Sequence, residues 1–137
     1  MVKVENLHVR LGSVSVLRGV DMQVEDRETL AVIGESGCGK TVLMKAIMGL
    51  TPVEKGRIFI DEMDTTDFDE RLYNEHIRPR MAIVFQRGAL WDSMSVSENI
   101  DLVIRMREDS SEEDRRERVE ESLRMVELRE AGDKLPK

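Results

Sequence analysis

Apolar residues recur from Val2 to Val24 with the spacing of strands. Val2, Val4, Leu7 and Val9 supply one set, and Val14, Val16, Leu17, Val20, Met22 and Val24 a second, which predicts strands over 2–9 and 14–25. Gly12-Ser13 is a turn between them, and Glu25-Asp26-Arg27-Glu28 a polar turn after them. Two short continuous apolar runs, Thr29–Ile33 and Met81–Phe85, have the pattern of strands buried on both faces. The first ends at the glycine-rich stretch Gly34–Gly39. A helical pattern follows through Leu43, Met44, Ile47 and Met48, with Gly49 as its stop and Pro52 just beyond. Gly56–Asp61 predicts a further strand, and residues 67–77 an exposed helix ending before Pro79. Gln86–Met94 reads as a loop. Ser95-Val96-Ser97-Glu98 has the spacing of a capping box that opens a helix to about Arg107. Ser110-Ser111-Glu112-Glu113 repeats the signal and opens a charged helix to about Leu128, with Val119, Leu123 and Val126 on one stripe.

Composition narrows the class. The 137 residues suit one modest domain, 40% of them apolar, but aromatics make up only 4%, so the core rests on Val, Ile, Leu and nine Met. A net charge of −7 argues against a large polyanion such as nucleic acid as partner, although local cations can still hold a small anion. Cys38 is the single cysteine, which rules out an internal disulfide and a cysteine-based metal cage. No window approaches the roughly 18 uninterrupted apolar residues of a membrane span, so any membrane association is expected through a partner. The mixed-sign charges at 112–121 read as a solvated helix face.

The most specific chemistry lies at Gly34-Glu35-Ser36-Gly37-Cys38-Gly39-Lys40-Thr41, which fits G-x-x-x-x-G-K-[ST] at every fixed position. Glycines let successive backbone N–H groups turn inward into an anion-binding nest, and the following helix adds the positive end of its dipole. In such a loop Lys40 reaches the β- and γ-phosphates of ATP, and the Thr41 hydroxyl ligates Mg²⁺. The motif sits between a predicted buried strand and a predicted helix, the context it requires. Cys38 occupies a position where the loop supplies backbone N–H groups, not a nucleophile.

Several segments together resemble the nucleotide-binding subunit of an ABC transporter. Val4-Glu5-Asn6-Leu7 and Val16-Leu17-Arg18-Gly19-Val20 look like that family's opening antiparallel strands, and Gly56-Arg57-Ile58 like its glycine-led strand after the first helix. Val84-Phe85-Gln86 is similar to its Q-loop, and Ser95-Val96-Ser97-Glu98-Asn99-Ile100 to its T-V-x-E-N-I helix start. The resemblance implies an α/β P-loop NTPase of ABC type: a parallel-sheet core, an N-terminal antiparallel β subdomain and the start of a helical subdomain. Residues 1–94 would hold the first parts through the Q-loop, and 95–137 the beginning of the last. It implies ATP and Mg²⁺ as ligands, with Gln86 and Thr41 at the metal and Gln86 and Lys40 in the catalytic set. It also implies a homodimer on a membrane-embedded permease, at the cytoplasmic face of a bacterial inner membrane. Gln86-Arg87-Gly88-Ala89-Leu90-Trp91-Asp92-Ser93-Met94 is further similar to the Q-loop of the Mla-type branch, which implies phospholipid or another hydrophobic cargo. Trp91 then reads either as a permease contact or as a plug beneath the loop.

Two departures from the family pattern bear on function. The family stacks adenine on an aromatic residue in its first loop, where this chain has Leu11, and no Phe, Tyr or Trp precedes Phe59. Leu11 and Val16 offer adenine an apolar wall without stacking, so the resemblance implies binding that rests on phosphate contacts. The sequence also ends at Leu135-Pro136-Lys137, where the family next shows L-S-G-G, then its Walker B Asp, catalytic Glu and switch His. The expectation is therefore an N-terminal portion that binds ATP without turning it over. The alternatives are a non-hydrolytic truncated remnant, a regulatory nucleotide-binding module, or an ABC ATPase of DNA repair or translation. A GTPase is disfavoured because no N-K-x-D motif occurs.

Overall fold

The alternation at the N-terminus becomes an antiparallel sheet. A computed structural model describes residues 1–85, 89–107 and 109–136, in two compact units, Met1–Ile83 and Val84–Lys137. In the first unit, β1 (Val2–Leu11), β2 (Val14–Val24), β3 (Lys55–Ile60) and β4 (Met63–Asp64) lie in the order β2-β1-β3-β4 with antiparallel pairings. The apolar set of β1 changes phase between Val4 and Leu7, and there the register shifts against both neighbours. Asn6 absorbs the bulge at φ 45°, a conformation Asn tolerates, so Val4, Leu7 and Val9 all remain buried on one face. Gly56 presses on this bulge: a Cβ there would lie 2.4 Å from the Asn6 carbonyl oxygen. The two segments Val4–Leu7 and Gly56–Ile58 are thus one contact.

Helix α1 (Lys40–Ile47) packs Leu43, Ala46 and Ile47 into the core formed by Val4, Leu7, Val9, Leu17, Ile58 and Ile60. It ends as its sequence predicts. Gly49 takes φ 67°, its N–H bonds the Ala46 carbonyl at 3.0 Å, and the Leu50 N–H bonds the Lys45 carbonyl at 2.8 Å, a Schellman cap. The segment read as an exposed helix at 67–77 is different. It comprises α2 (Glu70–Leu72), a π turn over Tyr73–Ile77 and a 3₁₀ turn over Arg78–Arg80 that carries Pro79. Tyr73 and Ile77 are buried, because the wider π turn directs both residues into the core. Pro79 sits in the first turn of the 3₁₀ segment, where its missing N–H costs nothing.

The two runs with the pattern of buried strands are unpaired here and carry exposed apolar residues. Neither Thr29–Ile33 nor Met81–Phe85 is paired into a sheet, and Ile33 and Val84 are each 92% exposed. An apolar run becomes a strand only through ladder bonds to neighbours. Every pairing among the described residues belongs to the antiparallel sheet.

In the second unit, α3 (Val96–Arg107) and α4 (Glu112–Met125) pack together. The capping box at the start of α3 is complete: the Ser95 N–H donates to Glu98 Oε2 at 2.6 Å, and the Glu98 N–H to Ser95 Oγ at 3.2 Å. The cap of α4 falls one residue later than its first sequence signal, with Ser111 Oγ accepting from the Asp114 N–H at 3.1 Å. Helix α4 stops at Met125. Val119 and Leu123 are buried, whereas Val126, read as part of the same stripe, lies past the helix and is exposed. Asp101 ties the helices together, accepting from Arg115 Nε at 2.9 Å and pairing with Arg105 at 2.6 Å.

Candidate phosphate-binding loop

The loop Gly34–Thr41 is shaped by glycine at the points where a side chain would be strained or obstructed. Gly37 and Gly39 have φ of 82° and 104°, in the region that favours glycine. A Cβ on Gly39 would also sit 2.9 Å from Leu17 Cδ2 and 3.1 Å from Val16 Cγ1, and one on Gly34 would meet Cys38 Sγ at 2.8 Å. A Cβ on Gly37 would meet nothing within 4 Å, so the loop's outer side is open. Gly39 caps α1 without a side-chain hydrogen bond. The first-turn N–H groups of that helix therefore lack both an intrahelical acceptor and a side-chain cap, which leaves them available to an anion.

Lys40 closes the loop from within. Its Nζ donates to the Gly34 carbonyl at 2.7 Å and the Glu35 carbonyl at 2.6 Å, and stands 3.6 Å from Cys38 Sγ. The ammonium thus lies across the loop's mouth, held by neutral acceptors that a phosphate oxygen can replace with a stronger charge-assisted bond. Glu35, Ser36, Cys38 and Thr41 are exposed on the same segment. This arrangement fits a nucleotide polyphosphate with Mg²⁺: backbone donors and one ammonium face the anion, and the exposed Thr41 hydroxyl is a hard oxygen donor of the kind Mg²⁺ takes.

The remaining residues expected at the site are less closely gathered. Val16 reaches the loop through its contact with the Gly39 position, whereas Leu11 pairs with Val14 at the end of the hairpin and is 47% exposed. Gln86 lies outside the described residues. Trp91 does not plug the second unit, since it is 63% exposed. Its backbone is nonetheless fixed by Asn99, a residue whose role the sequence did not disclose. Asn99 Oδ1 accepts from the Trp91 N–H at 2.8 Å, and Nδ2 lies 3.1, 3.0 and 2.9 Å from the carbonyl oxygens of Trp91, Met94 and Ser95. Its sequence signals were its place in the Ser95–Ile100 helix start and its position one turn into a helix that follows a loop.

Perturbed carboxylates lie away from the loop and serve the fold. A Thr66 hydrogen bond lowers the Asp64 pKa, and Arg78 lowers that of Glu70. Among the described residues no cluster of His, Cys, Asp and Glu is suited to a resident metal, and no helix is long and apolar enough to cross a membrane.

Comparison with known proteins gives these features a context. The family model described as "ABC transporter" matches residues 17–137. A sulfate/thiosulfate import ATP-binding protein of Methylococcus capsulatus is 36% identical over 98% of this chain and 38% of its own length. An sn-glycerol-3-phosphate import ATP-binding protein of Bordetella avium is 36% identical over 92% of this chain and 33% of its length. The chain thus spans between 33% and 38% of the length of these relatives. Among solved structures, the dimeric ATP-binding cassette MJ0796 in a post-hydrolysis state bound to ADP and Pi superposes with a TM-score of 0.85 and 29% identity, over 99% of this chain and 62% of that one.

Proposed function

Because the chain belongs to the ABC transporter family and carries the α/β fold of its ATP-binding cassettes, we propose that it is the phosphate-gripping part of a transporter ATPase subunit. The observation that carries this reading is the Gly34–Thr41 loop, with two left-handed glycines, an open outer side and Lys40 across its mouth. In this reading the first-turn N–H groups of α1 and Lys40 hold the β- and γ-phosphates of ATP, and Thr41 with Gln86 ligates Mg²⁺. When bound there, Mg²⁺ would neutralise phosphate charge. Two copies act together, as a dimer beneath a membrane permease at the cytoplasmic face, and closure on ATP drives the permease. Residues 1–94 supply the nucleotide side and 95–137 the start of the helical part.

The cargo has two readings. The similarity of the segment 86–94 to the Q-loop of the Mla-type branch supports phospholipid or another hydrophobic cargo on an Mla-type permease. The relatives' names, sulfate/thiosulfate and sn-glycerol-3-phosphate import, support a small anionic solute as the second.

The polypeptide of 137 residues is expected to bind MgATP without hydrolysing it, since Gln86 alone among its residues is assigned to the attacking water. A phosphate-release assay on the purified chain, run beside nucleotide retention on gel filtration, tests this. Retention without release is the expected result. Sustained release that is lost in Gln86→Ala would show that the chain holds a complete hydrolytic set and would overturn this division of labour.

A further inference from the structure

The antiparallel sheet buries Val4, Leu7, Val9, Leu17, Ile58 and Ile60 on one face and turns charged residues of its strands to the other. On that outer face the pairings Arg18↔His8 and His8↔Lys55 set an Arg, a His and a Lys side by side across β2, β1 and β3. The centre of the row is fixed. His8 Nε2 stands 3.0 Å from Asn6 Oδ1, and the Asn6 N–H donates to Asp21 Oδ1 at 2.8 Å. Gly19 keeps room for the ring, since a Cβ there would lie 3.0 Å from Asn6 Oδ1 and 3.4 Å from His8 Nε2. No carboxylate answers the row. Glu5 is held by Lys3 at 2.6 Å, Glu54 by Arg10 at 3.1 Å, and Asp21 by the Asn6 N–H. Arg18 Nε donates to the Ser15 carbonyl at 3.2 Å, and neither Arg18 nor Lys55 has an ion pair among the described residues. Both are exposed, in a chain whose net charge is −7.

We propose that this outer face docks an acidic, extended segment of a partner polypeptide, with the Arg18–His8–Lys55 row as its contact. The proposal is independent of the phosphate loop, whose helix α1 packs on the opposite face of the sheet. Arg18 and Lys55 stand two interstrand spacings apart, about 10 Å. Side chains at alternate positions of an extended chain recur on one side every ~7 Å, so carboxylates two residues apart come within reach of both long, flexible cations. The guanidinium and ammonium are donors only, and a carboxylate is the acceptor that gives each a charge-assisted bond. The range of the field selects the class of occupant. A nucleic acid or an anionic membrane extends past the roughly 10 Å over which salt leaves the row unscreened, and meets the acidic surface around it. A short acidic segment lies within that range and meets the cations alone.

Fluorescence anisotropy of a labelled octapeptide of alternating Glu and Ser, titrated with the purified chain at low salt, tests the proposal. Saturable binding is expected, weakened by at least about threefold in Arg18→Gln/Lys55→Gln, the scale of two lost exposed charge pairs. Lys45→Gln/Arg129→Gln removes the same charge from exposed sites elsewhere and should weaken binding by less than about threefold. Arg18→Lys/Lys55→Arg keeps both charges and should bind as the parent does, which separates lost charge from a disturbed sheet. Lys40→Met should also bind as the parent does. If the peptide does not saturate, or Arg18→Gln/Lys55→Gln leaves its affinity within about threefold of the parent, the proposal fails. It fails equally if the charge-keeping variant or Lys45→Gln/Arg129→Gln loses as much. If Lys40→Met loses as much, the peptide occupies the phosphate loop and the proposal fails while the reading of that loop as an anion site stands. Neither vesicles of equimolar phosphatidylcholine and phosphatidylglycerol nor a single-stranded oligodeoxynucleotide should be held through the row. Binding of either that Arg18→Gln/Lys55→Gln abolishes would assign the face to that polyanion and overturn the proposal.

Discussion

Removing the Asn99 side chain is expected to release the loop that carries Trp91. Asn99 is only 5% exposed, and its amide makes four contacts with the backbone of residues 91–95. An amide NH₂ has two hydrogens, so the three carbonyls share two donor bonds, and Oδ1 adds one acceptor bond. At a net of about 1 kcal/mol each, Asn99→Ala eases local opening of the loop by about 2–3 kcal/mol. Exchange of the Trp91 amide hydrogen should then accelerate by about 30- to 150-fold, since 1.4 kcal/mol is a factor of ten. Asn99→Asp sharpens the test. It keeps an acceptor for the Trp91 N–H but turns a second oxygen toward three carbonyls, so exchange should be at least as fast as in Asn99→Ala. Because Trp91 is the chain's only tryptophan, its fluorescence anisotropy reports the same loop and should fall in both variants. Protection within about threefold of the parent in both would refute the reasoning, because bonds of the stated strength could not then be holding the loop.

Three further outcomes follow from the fold. Helix α4 ends in a Schellman cap with Glu127 at φ 58°, so Glu127→Gly should stabilise the chain by about 1 kcal/mol, read as a higher urea midpoint with an unchanged slope. Gly49→Ala should do the reverse at α1, where φ is 67° and a Cβ would lie 2.7 Å from the Tyr73 ring. Left-handed strain and overpacking together give a loss of about 2–4 kcal/mol in urea unfolding. At Asp101, burial opposes the charge but is outweighed by hydrogen bonds from Arg115 and Arg105, so its pKa is lowered. A lowered carboxylate pKa stabilises the fold above its unfolded value and loses that contribution as pH falls through the folded one. The stability gap between the parent and Asp101→Asn should be full at pH 7 and shrink below the ordinary value of 3.8.

What the sequence disclosed was mostly local. The glycine loop, the Gly49 stop and the Ser95/Glu98 box are each specified by residues within one turn of one another, and each forms where its pattern places it. The second capping signal was ambiguous by one residue because Ser110, Ser111, Glu113 and Asp114 hold two overlapping spacings, and the Ser111/Asp114 choice wins. Tertiary partners were not legible. The segment at 67–77 buries Tyr73 because the bare Cα face of Gly49 accepts its ring and Thr65 its hydroxyl, at 3.2 Å. The runs Thr29–Ile33 and Met81–Phe85 show the opposite failure. Their composition suits burial, but a sheet strand depends on a ladder that neither joins among the described residues. At the candidate site, the glycine geometry of the loop was legible, whereas the exposed Leu11↔Val14 pair required the hairpin register.

The central claim is that Gly34–Thr41 holds the phosphates of ATP with Mg²⁺. Equilibrium dialysis of the purified chain with labelled ATP, with and without Mg²⁺, tests it directly when repeated on Lys40→Met. Saturable binding at one site per chain, strengthened by Mg²⁺ and weakened by about 10- to 150-fold in Lys40→Met, is the predicted result, from the loss of a charge-assisted bond. Absence of saturable binding, or binding that Lys40→Met leaves intact, would contradict the account.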